Sequence, residues 1–502
     1  MKIALTGASG HMGIATLKEF LNINEVDAVR VLVLPKDKRA KLVKKLAKQN
    51  KSRVEIIRGD ISNLEDVKKL CVGVEYLFNL AALIPPGSDK HPELSYLANE
   101  VGAYNVIKVC EESPIKLIDI TSVALYGHRN VKHPFERVGD PLLPSVFDAY
   151  AAHKLRGEYA ILESNVDKFA IIRQTAMVYL EMLNSNMSDG LMFHTCFNDP
   201  LEWSTAEDSG RLMANIVKED IAGHLNYDNF WKKVFNLGDG EHNRISGYDT
   251  IEGGFSLFGG KACNYFDPNY NVTRNFHGGF YYDGDELEKL FHYQNDKIDE
   301  YWLKVLKKYP YYKMGRIVPA GVIKKFAIKR LFKDSNSPAY WYKHNDIPRL
   351  TAFFGSKEEY ENLPTTWDKF KLDDLKVTRS VKSYVPINYG FDINKSDKDI
   401  TLEDLKNVAL MHGGKLLSNE FKKGDVYAKL KWVNQDNEEF ECRPYTILRG
   451  GHWMNPLYKD YVWDFDRLSK KDKIFAQYWY DSHKEDENHC YYMDDKYEAF
   501  MK

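Results

Sequence analysis

Ile3-Ala4-Leu5-Thr6-Gly7-Ala8-Ser9-Gly10-His11-Met12-Gly13 sets a glycine loop directly behind an apolar run, and Ile14 to Leu21 then reads as a helix. Glycine reaches positive φ and keeps side chains away from a pyrophosphate, so such a loop between strand and helix aims backbone N–H groups at phosphate. Glycines at this spacing also occur in plain turns, and the motif gains meaning from its neighbours. A second β-like run, Val29 to Leu34, follows at the distance that a βαβ unit requires. The loop is therefore read as a nucleotide-binding turn.

Further strand-like runs lie at Val54–Ile57, Tyr76–Asn79, Lys116–Ile120 and Phe169–Ile172, and helical periodicity at Leu64–Leu70, Leu94–Glu112 and Tyr150–Ser164. Alternation of this kind predicts a doubly wound parallel sheet, a Rossmann fold in the α/β class, over 1–180. Residues 181–335 read as a smaller substrate-covering region, with a strand at Lys233–Leu237 and glycine turns at Gly253, Gly254, Gly259 and Gly260. Residues 336–383 are polar and read as a linker. Residues 384–502 read as an appended α+β domain rich in aromatic side chains, with a capped helix start at Thr401 and a strand at Leu430–Val433.

Acids and bases nearly balance in the 502 residues, at a formal net charge of −2, so no global field favours nucleic acid or an anionic membrane. Six scattered cysteines form no Cys-x-x-Cys pair and read as reduced thiols. The first strand begins at about residue 2, and no apolar stretch has the length of a membrane span, so the expected location is the cytoplasm and no integral span is expected. One local exception is 313–333, which carries Lys313, Arg316, Lys324, Lys325, Lys329, Arg330 and Lys333 among apolar residues without an acid. A basic amphipathic helix there could touch a membrane surface or an acidic substrate, although the plainer reading is the solvated face of a packed helix.

Tyr150-Ala151-Ala152-His153-Lys154 carries the second chemical signal. Four residues apart on a helix, tyrosine and lysine share a face, and an ammonium beside a phenol lowers its pKa toward the range of a general acid or base. Before it, a strand ends in Thr121-Ser122, at the sheet edge where open parallel sheets bind ligands. Ser122 can hold a substrate oxygen there while Tyr150 moves the proton. His128, His153, His194 and Cys196 lie near these segments, but no metal-ligand spacing unites them; structural roles and no metal are expected.

This ordered set resembles the short-chain dehydrogenase/reductase superfamily, in its extended branch of NAD-dependent epimerases and dehydratases, over about residues 1 to 300. Thr6 to Gly13 fits Thr-Gly-x-x-Gly-x-x-Gly, with Thr6, Gly7, Ser9, Gly10, His11, Met12 and Gly13 at the pyrophosphate. By the resemblance, Asp60 and Ile61 contact adenine, while Asn79, Ala81 and Ala82 lie over the adenine ribose. Asn99 to Gly102 is the helix near the cofactor, and Ile172 to Tyr179, with Gln174, runs beside the nicotinamide. Ser122, Tyr150 and Lys154 become the catalytic triad, with Lys154 also on the nicotinamide ribose. An acid at the end of the second strand binds the ribose 2′-OH of NAD and a basic residue the 2′-phosphate of NADP. Leu34-Pro35-Lys36-Asp37-Lys38-Arg39 places Lys36 and Lys38 there, which favours NADP, with NAD as the alternative through Asp37.

The Thr-Asp-Glu of sugar 4,6-dehydratases is replaced by Ser122-Val123-Ala124, and the diphosphate-binding arginine of nucleotide-sugar epimerases is missing from Leu201 to Asp208. Trp203 in that stretch suits a less charged carbonyl or alcohol substrate. The expectation is an NAD(P)-dependent oxidoreductase acting on a small molecule, with an epimerase on the same triad, or an NADP-binding redox sensor, as alternatives. The C-terminal segment resembles small zinc-ribbon-like domains in Trp432, Phe440 and Arg449 to Trp453. However, Asn434, Glu438, Met454 and Leu457 stand at the ligand positions, which implies a metal-free fold. This segment is expected to cover the site, dock on a partner or build a homodimer.

Overall fold

The computed structural model describes residues 1–183, 189–370 and 378–493. Seven parallel strands form the central sheet: β1 (Lys2–Leu5), β2 (Ala28–Val33), β3 (Val54–Arg58), β4 (Tyr76–Asn79), β5 (Lys116–Ser122), β6 (Phe169–Gln174) and β7 (Lys233–Leu237). Their order is β7-β6-β5-β4-β1-β2-β3. It reverses between β1 and β4, and open α/β sheets bind ligands at such a switch point, beyond the strand C-termini. The strands are apolar on both faces because helices cover both: β1 buries Ile3, Ala4 and Leu5 completely.

One face packs the helices His11–Phe20 and Ala206–Ile221 over Ile3, Val29, Val31 and Ile118. The other carries Leu64–Leu70, Gly102–Glu111 and Ala149–Glu163. Its core runs without a break from Leu117 and Ile161 into Val408, Trp432, Tyr445 and Trp453 of the C-terminal segment. A three-stranded antiparallel sheet, Lys415–Leu416, Leu430–Val433 and Glu439–Cys442, anchors that segment. Its hairpin turn is closed by Asn434, which takes the Glu438 amide at 2.9 Å and donates to the Glu438 carboxylate at 2.9 Å. Thr401 and Asp404 form the capping box of the helix Leu402–Met411.

Three sequence expectations change. The polar stretch 336–383 contains the helices Pro338–His344, Ile347–Phe354 and Lys357–Glu361, and buries Trp341, Leu350, Phe353 and Phe354. Few but large apolar residues at helical spacing are enough to dock it; residues 371–377 of this stretch and 494–502 of the C-terminal segment lie outside the described residues. Gly253 and Gly254 lie inside the helix Gly247–Ser256 rather than in a turn, and glycine is needed at 253 because a Cβ there would meet the Trp302 indole at 2.4 Å. The basic run 313–333 is not one regular α-helix: Pro310–Ile317 is a 3-10 stretch, Pro319 interrupts, and Ala320–Ile323, Lys324–Ile328 and Lys329–Lys333 then follow one another as a single helical segment whose hydrogen-bond pattern changes along its length.

Candidate active site

The glycine loop meets the sheet edge at the switch point. Gly7 has φ +65°, and a Cβ there would stand 2.5 Å from the Leu80 carbonyl oxygen; one at Gly13 would stand 2.2 Å from the Gly7 oxygen. Gly10 opens the helix His11–Phe20 with no side chain capping it, so its first N–H groups face outward as an anion cradle. His11 stacks on Tyr179 at 3.9 Å between ring centroids and approaches Glu181 at 3.5 Å, which ties the loop to the strand after β6. Ser9 is half-buried and Met12 buried.

Thr6 donates to Asn79 at 2.7 Å and accepts from the Ala81 amide at 3.1 Å. Asn79 in turn donates to Asp119 at 2.6 Å, so the C-termini of β1, β4 and β5 are laced together. Ala82 is exposed beside them. Asp60 accepts from the amide and hydroxyl of Ser62, and Ile61 packs its side chain against Gly102. Asn99 bridges both backbone groups of Leu83 and donates to Ser95, which contacts His153 at 2.9 Å.

Past β2, Lys36 and Lys38 are exposed, while Asp37 accepts from the Arg39 amide at 2.7 Å and caps its own turn. The Arg39 charge is close enough to act on His11. The Asp37 carboxylate, the acid of this turn, thus accepts a hydrogen bond from within the turn.

Tyr150 and Lys154 share one face of the helix Ala149–Glu163, and both are buried. Asp148 caps that helix, accepting from Ala151 at 3.0 Å. The Ser122 hydroxyl accepts from the Ala124 amide at 3.1 Å and lies close enough to the Tyr150 phenol to favour its ionised form. Lys154 donates to the Ile120 carbonyl at 2.8 Å. Lysine was expected to lower the tyrosine pKa, but burial instead pushes Tyr150 up to about 12, against the Ser122 hydroxyl, with Asp148 and Asp119 adding to the rise. Burial also draws Lys154 down, against the charges of Asp119 and Glu158. The phenol is thus held protonated.

Two expected site residues have other tasks. Gln174 spends its amide on Ser204 and Ser209, at 2.5 and 3.1 Å. Trp203 packs in a core with Val178, Leu201, Ile245 and Tyr301 and donates to Thr250 at 3.1 Å, so it gives no information about the substrate.

The neighbouring cavity, about 70 Å³, opens at the N-terminus of the Tyr150 helix, among Pro85, Asp89, Phe147, Asp148, His194 and Arg349. Burial, reinforced by Asp148 and Asp189, pushes Asp89 up to about 7, against the Arg349 charge. His277 approaches Asp148 at 3.5 Å. This wall is mixed polar and apolar. Of its residues, His194 reads in the sequence as structural, and Asp148 has a local signal as a capping aspartate two positions before Tyr150. Arg349 lies 199 positions from Tyr150, beyond the reach of any local pattern.

Burial holds His128 and His194 at about 4, so both are neutral. The fold does bring His128 and Cys196 together with Asp199, all donor atoms within 4.8 Å of one another. Three donors fall one short of a closed structural zinc site.

Beneath the site, Glu158 of the Tyr150 helix pairs with Arg173 of β6 at 2.5 Å, accepts from Thr121 at 2.7 Å and meets His452 at 3.0 Å. Arg173 also donates to the Gly450 carbonyl at 2.5 Å and to Tyr126 at 2.6 Å. Burial pushes the Glu158 carboxyl up, but Arg173 and His452 more than offset it and hold it at about 2.

Residues 4–178 match the model of the 3-beta hydroxysteroid dehydrogenase/isomerase family. The sterol-4-alpha-carboxylate 3-dehydrogenase (decarboxylating) of Mus musculus is 30% identical over 118 residues, 23% of this chain and 32% of that protein. The UDP-glucose 4-epimerase of Rickettsia prowazekii is 25% identical over 122 residues, 24% of this chain and 36% of that protein. The chain thus spans about a third of the length of the curated relatives it matches. The crystal structure of a double mutant of DesIV, a dTDP-glucose 4,6-dehydratase from Streptomyces venezuelae with NAD and DAU bound, shares the fold. Its TM-score is 0.50 at 16% identity, over 62% of this chain and 98% of that one. These matches support the extended short-chain dehydrogenase/reductase type for the first third of the chain.

Proposed function

We propose that this chain is an NADP(H)-dependent oxidoreductase that reduces a carbonyl, or oxidises the corresponding alcohol, in the space beside Tyr150. The observation that carries the reading is the approach of the buried Ser122 hydroxyl to the buried Tyr150 phenol at the end of β5, at the strand C-termini where the glycine loop also lies. The residues fit a dinucleotide: Gly7, Gly10 and Gly13 leave the turn without a Cβ at three positions, and Lys36 and Lys38 are exposed for a 2′-phosphate while Asp37 accepts from the Arg39 amide of its own turn. A bound nicotinamide supplies the hydride acceptor or donor.

The chain's own residues do the rest. Ser122 hydrogen-bonds the substrate oxygen, Tyr150 Oη gives it a proton in the reductive direction, and Lys154 holds the ribose face while its positive charge favours the phenolate left behind. Asp89, Asp148, His194 and Arg349 give the adjoining cavity polar groups able to orient a substrate that carries hydrogen-bonding or anionic substituents. Purified protein tested on a carbonyl and alcohol panel, following nicotinamide absorbance, tests the reading. Stoichiometric release of reduced product with consumed NADPH supports it; conversion that leaves the cofactor unchanged indicates an epimerase, and cofactor binding without turnover indicates a sensor.

A further inference from the structure

We propose that residues 310–333 form a peripheral docking face for an anionic lipid bilayer. The proposal stands apart from the reaction, because it rests on a surface remote from the triad in sequence and built from different chemistry. Seven cations and no acid occupy 313–333 in a chain whose formal net charge is −2, so the rest of the molecule carries −9. Among the described residues only Lys324 of these cations has an acidic partner, Asp267 at 2.5 Å. Lys313, Arg316, Lys325, Lys329, Arg330 and Lys333 are exposed, and none has a carboxylate within 4.0 Å among the described residues.

Large apolar side chains stand exposed between those cations. Ile317 is 80% exposed, Phe326 66%, Met314 63% and Tyr311 50%, with Val322 and Val318 at 43% and 38%. A packed helix with a solvated polar face would bury these residues and expose only the lysines. Instead, Tyr312, Ile328 and Leu331 are turned inward, the latter two into a core with Phe193, Phe255, Tyr265 and Phe266. The segment is therefore firmly seated on one side and presents apolar tips in a basic collar on the other.

The composition selects the occupant. Protein interfaces exclude lysine from their buried centre, and five of the seven cations here are lysine. Nucleic acid neutralises basic residues but offers no apolar medium for Ile317, Val318, Val322 and Met314. An anionic leaflet satisfies both, taking apolar tips below the headgroups and basic side chains at the phosphate level, where each cation strengthens binding about fivefold. No helix among the described residues is long and apolar enough to cross a membrane, so the contact is one of surface insertion.

The test is cosedimentation of the full chain with vesicles of phosphatidylcholine alone or with about one third phosphatidylserine. Three proteins are compared: wild type, the pair Ile317→Glu and Phe326→Glu, and the trio Lys325→Glu, Lys329→Glu and Arg330→Glu. Wild type should bind the anionic vesicles at least about tenfold more tightly than the neutral ones, and each variant should lose about tenfold or more. The substituted side chains are exposed, so thermal unfolding should be unchanged, which separates lost binding from lost fold. Equal or absent partitioning into the two vesicle types overturns the proposal, as does unaltered binding of both variants. A wild-type oligomer that dissociates on Ile317→Glu and ignores vesicles assigns the face to a second copy and equally overturns it.

Discussion

His452 of the C-terminal segment contacts Glu158, on the helix that carries Tyr150 and Lys154, at 3.0 Å, with both side chains buried. Burial lowers the His452 pKa, so the appended segment gives the Glu158 carboxylate a neutral hydrogen-bond partner under the candidate catalytic helix, beside the Arg173 charge. Glu158→Gln strips the buried Arg173 guanidinium of its counter-charge and should cost about 3–5 kcal/mol, read by denaturant unfolding. His452→Ala leaves one acceptor short and should cost about 1–3 kcal/mol.

The same pair sets a pH dependence. Glu158 is held at about 2, below its ordinary 4.5, so its contribution is fully present above pH 4.5 and is lost as pH falls toward 2. In a thermal scan series over that window, wild type should lose stability more steeply than Glu158→Gln.

Asp89 has the opposite sign. Its pKa is raised from 3.8 to about 7, so the folded state holds the proton more tightly than the unfolded chain, and stability declines as pH rises from 3.8 to about 7. Asp89→Asn removes that decline. Its melting temperature relative to wild type should be about 2 °C or more higher at pH 8 than at pH 5, measured by calorimetry.

Tyr150→Phe deletes the proposed proton donor and keeps the ring. Turnover should fall about 10²- to 10⁴-fold, with cofactor affinity and melting temperature unchanged. Near-wild-type turnover on the same substrate would remove Tyr150 from the mechanism.

Lys36→Glu with Lys38→Glu tests cofactor choice. NADPH binding, titrated by fluorescence, should weaken about tenfold or more while NADH binding changes little. Equal weakening of both would assign the two lysines to general electrostatics.

Most strands of the main sheet are legible in the chain because they are short runs buried on both faces, and such strands are largely apolar; the edge strand β3, half-buried with Glu55 and Arg58, is legible from Val54, Ile56 and Ile57. The glycine loop and the Tyr150–Lys154 spacing are equally local. What escaped is long-range. Trp203 reads as a pocket aromatic, and only the packing of Tyr301 and Ile245 around it reveals a core residue. Lysine beside tyrosine suggests an acidic phenol, yet the cover over the helix makes desolvation dominant. Asp89 and Arg349 meet across one cavity from 260 positions apart.

That separation has a consequence in time. Glu158 and Arg173 leave the ribosome long before His452 and Gly450, which lie 294 and 277 positions further on from them. Until residues 450–452 have been synthesised, the nascent protein carries a half-finished hydrogen-bond network under its candidate catalytic helix. The glycine loop and the Ser122, Tyr150 and Lys154 set are made early, and the buried support beneath them is completed late.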